Sequence, residues 1–286
     1  MEKYQFTIKE ETSIRHYLQQ NLQFSRRHYR RVKSKAEIYI NGFKHKITAP
    51  VKKGDEVIIL LPSNKSFIEE YDYKVEVLYE DNYIIAVNKP AKMLTHPTYK
   101  EKTHTLLNVI KFIQSSNKQT YSFHPIHRLD RDTSGVIMIA KSAYTSKIFS
   151  ELFEQRKVEK TYLTIVEGVP KCRKEIIDIP LLNHTTKMKQ KSVTAYEVLN
   201  FWGNHSFLKV KPLTGRTHQI RRHLSDIGHP IVGDRIYNKD NFSKVRHLLH
   251  AFSLDFIHPI KRDKVIIKAS LPNDFSQVIK ECKQSQ

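Results

Sequence analysis

In the N-terminal part of the chain, hydrophobic and polar positions follow the periods of helices and strands. Ile14, Tyr17 and Leu18 recur at helical spacing on one face, and Ser25 is a suitable N-cap for a second helix. An Asn-Gly pair after a short apolar alternation is typical of a β-hairpin turn. The predicted elements, in order, are helices over 13–20 and 25–35, a strand over 36–40, the turn at Asn41-Gly42 and a closing strand over 56–61.

The remainder of the chain predicts a second and larger domain. Residues 63–75 are polar and are predicted to form a linker between domains at 1–62 and 76–286. The spacing of apolar runs beyond the linker is irregular, which does not favour a regular series of parallel βαβ units. We expect a mixed domain of helices built around a sheet. Its predicted strands are 83–87, 136–140, 163–166, 207–210 and 265–267, and its predicted helices are 105–114, 142–155 and 217–227.

The polar run HRLDRDTSG at 127–135 leads directly into an apolar strand. We predict that this strand is buried on both faces, so the charged loop must emerge at the edge of the core and be held rigidly there. Asp130 and Asp132 are candidate nucleophiles or bases, and Thr133 and Ser134 are predicted to bond the loop backbone. An ordinary turn with ion pairs explains this composition equally well.

A second chemically informative stretch, LTGRTHQIR, is predicted to be a turn that leads into a helix. Thr217 is the predicted N-cap, and Gly228 fits the position just past the C-terminus. Ile220 begins an apolar stripe, and Arg221 lies beside it at the border of core and solvent. Because a half-buried guanidinium requires a carboxylate partner, ideally a bidentate one, we expect an aspartate of the charged loop to contact Arg221.

Charge indicates the kind of partner. Lysine and arginine number 49 and acidic residues 29, which leaves a net charge of +20 and predicts a polyanionic partner, either a nucleic acid or an anionic membrane surface. The predicted second helix is crowded with like charges that repel one another, and bound phosphates would offset this repulsion. We favour phosphate binding over a merely solvated basic face, with Tyr29 as a nearby stacking surface. The basic residues are Arg26, Arg27, Arg30, Arg31, Lys33 and Lys35.

Several functional classes are not expected from the sequence. Cys172 and Cys282 are far apart and belong to no CxxC pair, so neither a structural zinc site nor a disulfide framework is predicted, and the thiols suit a reducing cytosol. No signal peptide or membrane-spanning run is recognised, and the common phosphate-binding glycine motifs are absent. His127 and His218 form no metal motif. We therefore expect a cytoplasmic protein without a metal site.

The run HRLDRDTSG resembles the signature of the RluA-type RNA pseudouridine synthases. Further stretches resemble motifs of the same family and follow in the same order: DNYIIAVNKP at 81–90 with His96-Pro97, Lys160-Thr161-Tyr162, LTGRTHQIR at 213–221, Gly233-Asp234 and Leu249-His250-Ala251. The N-terminal unit is similar to the S-four-type RNA-binding domain that often precedes this catalytic domain. One departure is Lys92, which stands where the family usually has glycine, so the local turn geometry is in question.

The resemblance implies an α+β fold, with a central mixed, largely antiparallel sheet flanked by helices and a small α/β RNA-binding domain before it. It also implies isomerisation of uridine within RNA. In this reaction the bond from the sugar to nitrogen breaks, the uracil turns, and carbon 5 bonds to the sugar. The reaction needs no cofactor and no metal.

The residue roles follow from matching the motifs. Cleavage at the anomeric carbon develops positive charge on the sugar, which an ionised carboxylate stabilises or attacks. Asp130 matches that carboxylate, as nucleophile or base, and Arg221 matches the arginine that keeps it ionised and oriented. Tyr162 matches the aromatic ring above the freed uracil, and Ile220 suits the aliphatic floor below it.

Two loop residues complete the predicted substrate-binding set. Arg128 matches the family arginine that fills the space vacated by the flipped nucleotide, and His127 is predicted to fix the loop by hydrogen bonding. Ribosomal RNA is the favoured substrate and transfer RNA the alternative, with the protein acting as a monomer. A non-catalytic RNA-binding protein and a nucleosidase of small molecules are the rival interpretations.

Overall fold

The structure is a computed structural model that describes residues 2–20, 26–62, 68–119, 121–183, 185–238 and 246–284. It divides into two compact units, Met1–Phe67 and Ile68–Gln286. Within the described ranges, every helix is too short or too polar to cross a bilayer.

The first unit contains a four-stranded sheet in the order β1-β6-β3-β4, which packs with two helices around a core that includes Ile14, Leu18 and Val32. Both helices, the hairpin at Asn41-Gly42 and the closing strand agree with the sequence prediction. The elements are β1 (Glu2–Thr7), β2 (Thr12–Ser13), α1 (Ile14–Gln20), α2 (Arg26–Lys35), β3 (Glu37–Ile40), β4 (Phe43–His45), β5 (Pro50–Val51) and β6 (Glu56–Leu61).

The prediction missed β1. This strand pairs antiparallel with β6, from Glu2 opposite Leu61 to Thr7 opposite Glu56. Only Tyr4 and Phe6 give β1 an apolar alternation, and its hydrogen-bond partner lies some fifty positions away in sequence, so local pattern carries little signal for it. The predicted N-cap Ser25 lies outside the described residues.

The second unit is built on a ten-stranded sheet whose main path is β12-β15-β16-β11-β17-β10-β8-β7, with β9 paired to β10 and β18 to β17. Only β10 and β17 pair in parallel among the described strands, so the sheet is mixed and largely antiparallel, as predicted. The strands are β7 (Glu76–Glu80), β8 (Ile84–Lys89), β9 (His124–Pro125), β10 (Ser134–Ala140), β11 (Glu159–Glu167), β12 (Lys174–Asp178), β13 (Leu181–Leu182), β14 (Lys189–Gln190), β15 (Val193–Trp202), β16 (His205–Pro212), β17 (Leu249–Ile257) and β18 (Lys264–Lys268). The helices are α3 (Leu106–Ser116), α4 (Ala143–Glu154), α5 (Gln219–Asp226) and α6 (Asn273–Gln284).

The predicted strands and helices of this unit are all present, but the long strands β15 and β17 were not predicted. Both place polar side chains in buried positions, where a local hydrophobic pattern gives no strand signal. Thr194 of β15 accepts a hydrogen bond from Gln219 Nε2, and His250 of β17 contacts the Ser134 hydroxyl. These polar groups are satisfied by tertiary contacts between segments that are distant in sequence.

Part of the predicted linker packs onto the second unit. The backbone N–H of Tyr71 donates to the carbonyl of Asn108 on α3, and Asn108 Nδ2 donates to the carbonyl of Glu69. Tyr71 also packs against the core cluster that contains Val109. Residues 63–67 lie outside the described residues, so only the second half of the predicted linker can be placed, and it belongs with α3.

The turn after β8 keeps a left-handed residue at the position where the family usually has glycine. Lys92 has φ +63°, a conformation that costs about 1 kcal/mol or more in a residue with a Cβ. We expect Lys92→Gly to raise the free energy of unfolding by about 1 kcal/mol, measured by denaturant unfolding. The backbone φ of Lys100 is not positive, so Lys100→Gly is the control and should not stabilise the protein. An equal gain in both variants would contradict this account of the turn.

Candidate active site

The loop that carries Asp130 is positioned by a fully buried strand. Every residue of β10 is buried, as predicted, and β10 pairs with β8 on one side and with β17 on the other. Gly135 has φ +114°, and a Cβ at this position would overlap the backbone of Ala251. Glycine therefore allows β10 to approach β17 closely, and this approach fixes the point where the loop leaves the sheet.

Arg221 of α5 joins two carboxylates. Its side chain is 5% exposed, and its Nη1 lies 3.1 Å from Oδ2 of Asp130, whose side chain is 30% exposed. Its Nε and Nη2 donate to Asp234 at 2.6 Å and 2.9 Å, which forms the bidentate pair. The expected contact between Arg221 and an aspartate of the charged loop is therefore present, but the bidentate partner is Asp234 and not Asp130. Asp234 thus binds the Nε and Nη2 side of the guanidinium, and Nη1 is left to contact Asp130.

Asp234 was missed as a site residue, although its Gly-Asp pair was recognised as a family landmark. It is fully buried, and its Oδ1 also accepts the backbone N–H groups of Ile236 and Tyr237 at 3.0 Å and 3.2 Å. Burial alone raises the pKa of Asp234, but the hydrogen bond and charge of Arg221 outweigh it and hold the pKa below its usual value. The pair is therefore ionised at neutral pH.

His218 lies on the other side of the Asp130 carboxylate. Its Nε2 is 3.6 Å from Asp130 Oδ1, and its Nδ1 is 3.1 Å from the hydroxyl of Tyr237. Burial lowers the pKa of His218, and the Arg221 charge adds to this while Asp130 opposes it, so the ring is mostly neutral at neutral pH. Asp130 thus has Arg221 near one oxygen and a neutral imidazole near the other.

The start of α5 differs from the prediction. The N-cap is His218, in a left-handed conformation with φ +53°, and the predicted Thr217 cap is wrong. The side chain of Gln219 ties the start of the helix to its surroundings, because its Oε1 accepts from the N–H of Arg216 in the preceding turn and its Nε2 donates to the carbonyl of Val193 on β15. A left-handed residue whose side chain lies beside the carboxylate is the kind of strain that often marks functional sites. At the other end, Gly228 is left-handed just past the helix, as predicted.

Tyr162 and Ile220 lie in the same apolar cluster. Tyr162 is half-buried on β11 at a register shift opposite Ala251, and it packs against the cluster that contains the buried Ile220. Burial raises the pKa of Tyr162, and the negative charge of Asp130 raises it further. The phenol therefore stays neutral at physiological pH, which suits an apolar stacking surface and makes it a poor base.

Two histidines hold the hydroxyls that follow Asp130. Thr133 Oγ1 lies 2.9 Å from Nε2 of His247, and Ser134 Oγ lies 2.9 Å from Nδ1 of His250. The prediction that these hydroxyls bond the loop backbone is therefore wrong, because both are turned inward toward the segment around the start of β17. Burial is the largest cause that lowers the pKa of each histidine to about 4.

This burial makes stability depend on pH. In the unfolded chain a histidine pKa is about 6.5, so between about 6.5 and 4 the unfolded state binds more protons than the folded state. The free energy of unfolding should therefore be highest above pH 6.5 and fall as the pH drops toward 4. Urea unfolding at pH 7 and pH 5 measures the fall, and His250→Asn should reduce it because one buried imidazole is removed. A stability that rises on acidification over this range would contradict the assignment.

His127 packs against α4, whereas Arg128 is exposed to solvent. The His127 ring stacks on Phe153 of α4 at 5.0 Å, and its Nε2 accepts the backbone N–H of Met138 at 3.1 Å. Burial, with the nearby charge of Lys160, lowers the pKa of His127 to about 3. These contacts support the expected hydrogen-bonding role in fixing the loop and place His127 against α4. Arg128 is exposed, where an incoming nucleic acid can reach it.

Lys89 is a buried cation that the sequence analysis did not single out. Its ammonium donates to the carbonyls of Pro90, Met93 and Arg131 at 2.8 Å, 2.9 Å and 3.1 Å. Burial, together with the nearby charge of Arg246, lowers the pKa of Lys89 to about 7. A lysine at the end of an apolar strand was the available signal. Arg246 contacts Asp132, the second candidate carboxylate, through the backbone carbonyl of that residue.

The basic helix α2 is only partly described. Arg30, Lys33 and Lys35 are exposed, and Arg31 Nη2 donates to the carbonyl of Pro62. Tyr29 packs against the core of the first unit, so its ring is less available for stacking than predicted. The side chains of Arg26 and Arg27 lie outside the described residues. Where side chains are described, no group of three or more histidine, cysteine or acidic residues is arranged to hold a metal ion.

Comparison with known proteins agrees with this geometry. Residues 83–226, slightly more than half of the chain, match the model of the RNA pseudouridylate synthase family. An uncharacterized RNA pseudouridine synthase of Bacillus subtilis, YhcT, is 35% identical over 240 residues, which cover 80% of this chain and 79% of that protein. tRNA pseudouridine synthase C of Haemophilus influenzae is 34% identical over 72% of this chain and 97% of its own length.

Two further similarities extend the comparison. Ribosomal large subunit pseudouridine synthase D of Buchnera aphidicola is 29% identical over 85% of this chain and 84% of its own length. The structure of human RNA pseudouridylate synthase domain containing 4 superimposes with a TM-score of 0.63 at 23% identity, covering 73% of this chain and 93% of that one, which shows a shared fold. The chain belongs to the RNA pseudouridylate synthase family. It is an isomerase that converts uridine in RNA to pseudouridine.

Proposed function

We propose that this enzyme modifies ribosomal RNA, with Asp130 as its catalytic carboxylate. The contact of 3.1 Å between Asp130 and the buried Arg221 carries the assignment, because it presents an oriented and still accessible carboxylate. Ribosomal RNA is favoured by the similarity to a synthase named for the large ribosomal subunit. The first unit, proposed to be an S-four-type RNA-binding domain, adds a basic helix to a chain of net charge +20.

In the proposed mechanism, a uridine is flipped out of the RNA, at a cost of a few kcal/mol, and its ribose lies against Asp130. The bond from N1 to the anomeric carbon breaks, and Asp130 stabilises or captures the positive charge on the sugar. The freed uracil turns between Tyr162 and Ile220, whose apolar surfaces hold it without hydrogen bonds that favour one orientation. Carbon 5 then bonds to the sugar, its proton is lost to solvent, and N1 gains a proton.

Mapping of pseudouridine in RNA from cells with and without this protein tests the target. We expect one or a few uridines of ribosomal RNA to lose modification when the protein is absent, and to regain it with the wild-type protein but not with Asp130→Asn. Loss confined to transfer RNA would instead support the second candidate substrate. That candidate is favoured by the similarity to a transfer-RNA synthase over nearly the whole length of that relative.

The first unit should contribute electrostatic affinity. Arg30, Lys33 and Lys35 are exposed on α2, and each phosphate contact releases counterions. In the full-length protein, the triple variant Arg30→Gln, Lys33→Gln, Lys35→Gln should weaken RNA binding and lower the slope of log affinity against log salt by about 2 to 3. A control with Lys268→Gln and Lys280→Gln on the second unit should change the slope less. An unchanged slope in the triple variant would contradict phosphate binding by α2.

We also propose that the enzyme acts as a monomer in the cytoplasm. Both cysteines are free, with Cys172 exposed and Cys282 half-buried, which fits a reducing compartment.

A further inference from the structure

We infer that Arg246 and Asp274 form a positioning pair that couples the C-terminal helix to the catalytic loop. Through this pair, α6 holds the backbone just after Asp130 and so determines where its carboxylate lies. The inference rests on the proposed role of Asp130. It assigns a function in the reaction to two residues that lie on the inner side of the loop and have no place in the chemistry described above.

Arg246 uses its guanidinium as a hub. The residue is 7% exposed, and its Nη1 donates to the carbonyls of Asp132, His247 and Leu249 at 2.8 Å, 2.9 Å and 3.1 Å. Its Nη2 donates to the hydroxyl of Ser134 at 2.9 Å. One rigid planar cation therefore ties the catalytic loop to the chain segment that enters β17. A lysine carries a single point donor group and cannot reproduce this fork.

The loop is held at each residue that follows Asp130. Lys89 binds the carbonyl of Arg131, and Arg246 binds the next carbonyl, that of Asp132. The N–H of Thr133 donates back to the carbonyl of Asp130 at 3.2 Å. Two buried basic side chains thus donate to consecutive carbonyls, and because both carbonyls are held from the interior, the Asp130 backbone has little freedom to shift.

Asp274 orients the Arg246 hub. It lies in the first turn of α6, and its Oδ2 is 2.6 Å from Arg246 Nε while its Oδ1 is 3.2 Å from Nη2. The next residue, Phe275, is fully buried and packs against His250 at 6.1 Å, with the Arg246 guanidinium 5.7 Å from its ring. The N-terminal end of α6 is therefore docked on the same segment that holds the loop, which gives the C-terminal helix a direct connection to the catalytic carboxylate.

Asp274→Asn tests the inference, with Asp255→Asn as a matched control. Both aspartate side chains are 34% exposed and each pairs with one cation, but Asp255 pairs with Lys264 on β18, away from the loop. Steady-state rates at varied concentrations of a target RNA, measured below the unfolding temperature of each variant, give kcat and KM separately. We expect Asp274→Asn to lower kcat about 10-fold with KM for RNA within about 2-fold, since small misplacements of a reacting group are costly. Asp255→Asn should leave both constants unchanged.

A purely structural role for Asp274 would lower the unfolding temperature and leave the kcat of the folded protein unchanged, which would overturn the inference. An equal loss of kcat in Asp255→Asn, or a loss seen only in KM, would overturn it as well. If the wild-type protein converts no uridine, the proposed function fails. If the wild type converts uridine and Asp274→Asn is fully active, only this inference fails.

Arg246→Lys provides a second test that keeps the charge. The groups of Asp274, Asp132 and Ser134 bond different nitrogens of the Arg246 guanidinium, and the three donors of a lysine lie on one nitrogen that cannot reach them all. The kcat of the folded Arg246→Lys protein should therefore fall about 100-fold. Asp274→Glu keeps a carboxylate and should retain more activity than Asp274→Asn. A folded Arg246→Lys protein with wild-type kcat would contradict the positioning role.

Discussion

Replacement of Asp130 by asparagine is expected to lower the rate of pseudouridine formation by about a thousand-fold or more, because at least roughly 4 kcal/mol of transition-state stabilisation depends on its negative charge. The amide has nearly the same shape as the carboxylate and can keep one hydrogen bond with Arg221. It cannot stabilise positive charge on the ribose or attack the anomeric carbon. RNA affinity should remain within a few-fold of wild type, since the side chain is one contact among many with a large polyanion.

Single-turnover conversion and filter binding of the same RNA separate the two effects. Asp132→Asn is the matched control in the same loop, because Arg246 contacts Asp132 through its backbone carbonyl, which the substitution leaves in place. We expect that control to retain activity. Wild-type rates in Asp130→Asn, or an equal loss in Asp132→Asn, would show that the chemistry does not depend on residue 130.

Replacement of Asp234 by alanine should have the largest effect on stability. It would leave the guanidinium of Arg221, 5% exposed, without its bidentate partner, and an uncompensated buried charge costs about 3–5 kcal/mol. Of the two carboxylates that pair with Arg221 in the described part of the chain, Asp130 would remain, and the guanidinium should turn toward it and lose its fixed direction. Activity should fall together with stability.

Asp130→Ala is the comparison for that measurement. It removes a carboxylate that is 30% exposed from the same guanidinium, while the Asp234 pair stays in place. Denaturant unfolding should therefore show a much smaller destabilisation for Asp130→Ala than for Asp234→Ala. Equal losses of stability in the two variants would contradict the account in which buried Asp234 stabilises Arg221 and the more exposed Asp130 contributes little to stability.

The regions best predicted from sequence are those whose structure is specified locally. The apolar run of β10 fixes a buried strand, and the charged residues before it can only emerge at its end. The motif resemblance then brought Asp130 and Arg221 together as an expected pair, although they are 91 positions apart. Helix α5 was also anticipated, because its apolar stripe and the glycine at its C-terminus are local signals.

Other features depend on contacts between distant segments. Asp234 lies in a turn beyond α5, and the sequence around it does not indicate that its carboxylate pairs with Arg221. The left-handed His218 stands where Thr217 was expected as the cap, and the first residue of the helix, Gln219, is bonded to the distant strand β15. The roles of Lys89 and Arg246 exist only once the loop carbonyls are in place. Buried polar networks of this kind leave no periodic pattern in a sequence.

The most direct test of the account measures release of tritium from RNA labelled at carbon 5 of uridine. Formation of pseudouridine replaces the bond between carbon 5 and hydrogen with a bond to the sugar, so each turnover should release one tritium to water. Purified wild-type protein is expected to release tritium in equal number to the pseudouridines formed, and Asp130→Asn to release none above background. Release by both proteins, or by neither on RNA from cells that lack the enzyme, would contradict the proposal.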